Sequence, residues 1–62
     1  MLERIESSPE IMTGKPVIKG TRLTVEHILS LLVEELTMED IIKEYPSIEK
    51  QDILACLYYA QK

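Results

Sequence analysis

Both glycines of the chain and three of its seven basic residues lie in Gly14-Lys15-Pro16-Val17-Ile18-Lys19-Gly20-Thr21-Arg22, a stretch with no acid. Residues of these types can hold an anion. Lysine and arginine supply the charge, and backbone amides at glycine turns supply donors that suit phosphate. The spacing is not that of a nucleotide-binding loop. Lys15 follows the first glycine, and no Gly-Lys-Ser/Thr closes the motif. Lys15, Lys19 and Arg22 therefore stand as candidate DNA contacts. The competing reading gives the glycines to turns and pairs Arg22 with acidic helices further along the chain.

Other reactive side chains are few. Cys56 falls on an apolar helical stripe with no histidine or cation near it in sequence to lower its pKa, so it reads as a structural thiol. His27 falls in a first helical turn, where a solvated imidazole is the ordinary case. Glu34-Glu35 and Glu39-Asp40 read as solvated helix faces. No set of nucleophile, base and oxyanion donor assembles. The expectation is a protein with no catalytic residue, no metal ligands and no cofactor.

Four breakers, Pro9, Gly14, Pro16 and Gly20, make residues 1–23 irregular to β in character. Pro16 favours an extended Lys15. Lys19-Gly20 sits between Val17-Ile18 and Thr21-Arg22-Leu23, and a glycine second in a two-residue turn supplies a positive φ. A short β-hairpin is predicted there. Three helices fill 24–62. Thr24 caps the first, whose stripe is Val25, Ile28, Leu29, Leu32 and Leu36, widened by Leu31 and Val33. Thr37 caps the second, with Asp40 three residues on as in a capping box. Met38, Ile41, Ile42 and Tyr45 keep its rhythm until Pro46 ends it. The third runs from about Lys50 to Ala60, with Asp52 near its positive end.

The third helix is apolar on every side. Ile53, Cys56, Leu57 and Ala60 form one stripe, taken as core. Leu54 and Tyr58 form a second, and Ala55 and Tyr59 fill the rest. An all-round apolar helix is ordinarily buried on all sides. Two short helices and a hairpin cover only part of it. Leu54, Tyr58 and Tyr59 are accordingly predicted to meet a partner, a role that tyrosine favours.

Composition agrees. Sixty-two residues make one domain, and a chain of that size buries only about 60% of its unfolded surface. A single cysteine rules out an internal disulfide, which leaves oligomerisation as the source of extra stability. The opening Met1-Leu2-Glu3-Arg4-Ile5-Glu6 is too charged for a signal peptide. The longest apolar run, Ile53 to Ala60, is far below the roughly 20 residues that span a bilayer. A cytoplasmic protein without a membrane partner is expected. Net charge is −4, the wrong sign for coating nucleic acid. Its distribution is uneven. Lys15, Lys19 and Arg22 make 11–25 basic, whereas eight acids face only Lys43 and Lys50 in 26–52.

The pattern Gly14-Lys15-Pro16-x-Ile18-x-Gly20-Thr21-Arg22-x-Thr24-Val25 is followed by Leu36-Thr37-x-Glu39-Asp40-Ile41, Tyr45-Pro46 and Asp52-Ile53 through Leu57-x-Tyr59-Ala60. Nearly the whole chain thereby resembles the domain-of-unknown-function family numbered 433. The resemblance implies a mainly α fold, a three-helix homeodomain-like bundle of the helix-turn-helix kind preceded by a short β-hairpin segment. It further implies a non-enzymatic antitoxin of a type II toxin–antitoxin pair. Such a protein forms a homodimer and binds a toxin resembling a PIN-like nuclease, with operator DNA as a second ligand. Two alternatives stay open: a stand-alone DNA-binding regulator and a structural dimerisation module. Two positions depart from the family pattern. Glu35 stands where a glycine usually ends the first helix, and Glu49 where Thr or Ser usually starts the third.

Overall fold

The computed structural model describes residues 2–61. Three helices, α1 (Val25–Val33), α2 (Met38–Glu44) and α3 (Lys50–Gln61), follow an N-terminal segment with two short strands, β1 (Ile5–Glu6) and β2 (Val17–Ile18). β1 and β2 pair antiparallel, Ile5 opposite Ile18 and Glu6 opposite Val17.

The predicted return at Lys19-Gly20 is present in a minimal form. Thr21 N–H donates to the Ile18 carbonyl at 3.0 Å, and Gly20 holds φ +81°. The Thr21 hydroxyl tightens the turn by donating to Ile18 O and accepting from Leu23 N–H. Beyond it, Ile18 N–H reaches Leu23 O at 2.9 Å and Val25 N–H reaches Pro16 O at 3.0 Å, which bracket a bridge between Val17 and Thr24. β2 is thus flanked on both sides. The named ladder lies with Ile5–Glu6, eleven residues upstream of Val17, a pairing that the local turn signal does not contain. Burial on both flanks explains why Val17 and Ile18 are among the least exposed residues of the chain.

Side-chain chemistry starts and stops the helices as expected at three ends. Thr24 accepts from His27 N–H at 2.9 Å. Thr37 accepts from Asp40 N–H, and Asp40 accepts from Thr37 N–H, closing a full capping box. Those bonds hold the Asp40 carboxyl below its usual pKa, the backbone bond most strongly. α2 stops at Tyr45, ahead of Pro46.

α1 ends earlier than the stripe to Leu36 suggests. Glu35 sits at φ +71°. Its N–H bonds Leu32 O, and the next N–H, of Leu36, bonds Leu31 O. This pair of bonds is the Schellman arrangement that normally places glycine in the left-handed position. Leu36 still packs on the core, but from beyond the helix, while Val33 is 81% exposed and adds nothing to the stripe.

The core gathers Ile18, Val25, Ile28, Ile41, Ile48, Ile53 and Cys56, so β2, every helix and the α2–α3 loop contribute. α3 packs against α1, α2 and the turn at Leu2–Arg4. Its buried face is Asp52, Ile53, Ala55 and Cys56. The expected core stripe needs correcting at its far end. Leu57 and Ala60 are exposed, and Ala55, assigned no face, is fully buried. The core supplied by the shorter α1 and α2 extends only about as far as Cys56, and α3 runs on past it.

Candidate functional site

Two regions carry the candidate residues. The first is the turn segment from Gly14 to Arg22. Lys15 is extended, φ −69° and ψ 144°, as a residue before proline should be. Its ammonium lies 3.3 Å from Glu26 Oε1 at the start of α1. Lys19 and Arg22 are exposed, and among the described residues neither has a carboxylate within ion-pairing distance. The three cations therefore do not act as one set. The intramolecular pairing proposed for Arg22 is made by Lys15 instead.

The glycine amides are also occupied. Gly14 N–H donates to Ile11 O at 3.0 Å, and Gly20 N–H donates to Glu6 Oε2 at 3.2 Å. A carboxylate of β1 thus already fills the anion position at the Gly20 turn. Met12, Thr13 and Gly14 take φ values of +47°, +53° and +86°, a short left-handed turn. It swings the chain from the Ser8–Ile11 bridge into Lys15.

The second region is the far half of α3. Leu57, Tyr58 and Tyr59 are each about 40% exposed, and Leu54 is half-buried. Tyr59 and Ala60 form one wall of a groove of about 530 Å³, whose other walls are Lys15, Pro16, Thr24, Val25, Glu26 and Leu29. Lys15 and Glu26 therefore form a neutralised pair beside an otherwise apolar trough. The structure brings Lys15 to the α3 region and leaves Lys19 and Arg22 at the turn.

A family model described as a protein of unknown function, DUF433, matches residues 5–60. The chain belongs to the DUF433 family. A crystal structure of a DUF433 member protein from Anabaena variabilis superposes with a TM-score of 0.89 at 21% identity, over 94% of this chain and 57% of that one. At that identity the likeness shows a common DUF433 fold, mainly helical with a short antiparallel pairing near the N-terminus. An uncharacterized protein, y4eO, from Sinorhizobium fredii (strain NBRC 101917 / NGR234) is 30% identical over 59 residues. These cover 95% of this chain and 27% of the relative, so the DUF433 unit here spans about a quarter of that protein's length.

One contact in this DUF433 fold is announced by no sequence motif, although Asp52 itself belongs to the family pattern. Asp52, 8% exposed, accepts from Glu49 N–H at 2.8 Å and from Arg4 Nη1 at 2.9 Å. The first bond is half of a capping box and makes up for Glu49, a poor cap. The second ties the N-terminal turn to α3, and Asp52 holds the Arg4 guanidinium charged beyond its already high pKa. Nothing local marks this pair, because 48 residues separate its members.

Cys56 is fully buried, and that burial, with the nearby Asp52 charge second, pushes its thiol up to about 11. It is a poor nucleophile at neutral pH. His27 Nε2 lies 3.1 Å from the Tyr45 hydroxyl, linking the start of α1 to the end of α2. Among the described residues no cluster of three or more His, Cys, Asp or Glu side chains is placed to hold a metal. No described helix is long and apolar enough to cross a membrane.

Proposed function

We propose that the chain is a non-enzymatic binding module of the antitoxin kind, which pairs with a second copy through the far half of α3 and, as that dimer, engages a toxin protein. The observation that carries this reading is the exposure of Leu57, Tyr58 and Tyr59 around successive sides of a helix that outruns its core. A domain of this size gains by covering such a helix end, and tyrosine is the side chain that does so at low entropic cost. The acidic balance of residues 26–52 suits a nuclease partner, whose substrate groove is basic. Operator binding has less support. Lys15 is paired with Glu26, and both glycine amides have partners within the chain.

The test is co-expression with the adjacent open reading frame, followed by a solution mass of the purified product. The expected result is a complex with a neighbour that is toxic alone, lost on Tyr58→Glu with Tyr59→Glu. A neighbour that is harmless alone or never co-purifies sinks the antitoxin reading. If DNA is bound instead, affinity should fall with salt at a slope near −0.9 for each phosphate contacted, about two here rather than three. Lys19→Ala with Arg22→Ala should abolish that binding.

A further inference from the structure

A second cleft, of about 610 Å³, lies between the Gly20 turn and the α2–α3 loop. Arg22, Thr21 and Gly20 line it from the turn, Tyr45 and Ser47 from the loop, and Glu6, Ile11 and Leu23 complete it. Most polar groups of this lining are engaged. Thr21 Oγ closes its own turn, the Tyr45 hydroxyl meets His27, and Glu6 holds Gly20 N–H. What remains is the Arg22 guanidinium, which has no carboxylate partner among the described residues, and the Ser47 hydroxyl. A planar fork of N–H donors, with a hydroxyl elsewhere in the same cleft, suits a carboxylate. The walls of Ile11, Leu23 and the Tyr45 ring suit an apolar group next to it.

We infer that this cleft docks a partner-protein segment in which an acidic side chain lies beside an apolar one, with Arg22 as the carboxylate anchor. The charge of the lining decides between this occupant and nucleic acid. Glu6 and Arg22 are the only charged ones among the described residues of the lining, so the cleft offers one cation, enough for a single carboxylate, and no run of cations for a run of phosphates. The surface is separate from the far half of α3, and the inference stands whether or not that helix dimerises.

The experiment is an amide-shift titration of the full-length protein with acetyl-Leu-Glu-Leu-amide. Acetyl-Leu-Gln-Leu-amide serves as the uncharged control, and inorganic phosphate and a short DNA duplex as the other anion sources. The expected result is saturable shifts at Gly20, Thr21, Arg22, Leu23 and Ser47. The affinity should drop roughly tenfold for the Gln peptide and for Arg22→Gln, the loss expected of one charge-assisted contact. Unchanged shift dispersion confirms that Arg22→Gln still folds, and Arg22→Lys should recover only part of the affinity. The inference is overturned by an absence of shifts with the Glu peptide. It is equally overturned by equal binding of both peptides, by binding that survives Arg22→Gln, or by DNA or phosphate outcompeting the peptide at these residues.

Discussion

Glu35 is at odds with its position at the end of α1. An L-residue in the left-handed region costs about 1–2 kcal/mol, and glycine there gives back part of the gain through the freedom of its unfolded chain. Glu35→Gly should therefore stabilise the domain by about 1 kcal/mol and raise the thermal midpoint by roughly 4–8 °C. Calorimetry checks this, and an unchanged or lower midpoint would show that the Glu35 side chain contributes something not visible in its backbone geometry. The Cys56 thiol makes the second prediction at this scale. Its folded pKa of about 11 lies above the ordinary 9.0, so the folded state holds the proton more tightly. That contribution is whole below pH 9 and is lost as pH rises toward 11. The urea midpoint should fall across that window, and Cys56→Ala should start lower but fall less. Both residues were conspicuous in the sequence, Glu35 by displacing a glycine and Cys56 by its place on an apolar stripe. Thr24, Thr37 and Asp40 were equally legible, since a cap and its partner lie within three residues of each other. The Arg4–Asp52 pair was not, because nothing in local spacing reports a partner at the other end of the chain.

Among the elements, α3 depends most on a contact from elsewhere. Asp52 serves its first turn and anchors the N-terminal segment at once. Asp52→Ala should cost about 1–2 kcal/mol, mainly a lost helix-start acceptor, since the Arg4 guanidinium keeps Glu49 Oε2 at 3.7 Å as a counter-charge. A cycle with Arg4→Met should give a measurable favourable coupling, kept small because the Arg4 side chain is still 35% exposed. Chemical denaturation of the four proteins measures it, and zero coupling would mean that the two contributions are independent. The helices were readable from periodicity because each buries a face with a 3.6-residue repeat. The limits of burial along α3 were not. Periodicity assigns faces around a helix, whereas the point at which the core stops along it is set by the lengths of α1 and α2. That is why Leu57 and Ala60 were expected inside and lie outside. The β1 partner of β2 escaped for a related reason: a turn motif reports the strand that follows it, and Ile5–Glu6 comes before.

For the whole molecule the question is how much surface a second copy needs. The described residues expose 4235 Å², and a stable interface takes about 800 Å² from each partner. Leu57, Tyr58 and Tyr59 cannot supply that alone. A homodimer would have to draw in the adjoining groove, where Pro16, Val25 and Leu29 face Tyr59 and Ala60 and where the Lys15–Glu26 pair is already neutral. The interface would then join α3 to the segment that carries the family motif, and folding would be linked to assembly. Linkage makes stability depend on protein concentration. Each tenfold dilution should weaken a folding-coupled dimer by about 1.4 kcal/mol, lowering the thermal midpoint by on the order of 4 °C. Leu57→Glu with Tyr59→Glu should remove this dependence. Val33→Glu should leave it intact, since Val33, the most exposed large apolar side chain among the described residues, lies neither on α3 nor in the groove. A midpoint that stays fixed over a hundredfold dilution, a range set by that tenfold step, would mean that the domain is stable alone, and the exposed turn of α3 would then be left for a different protein.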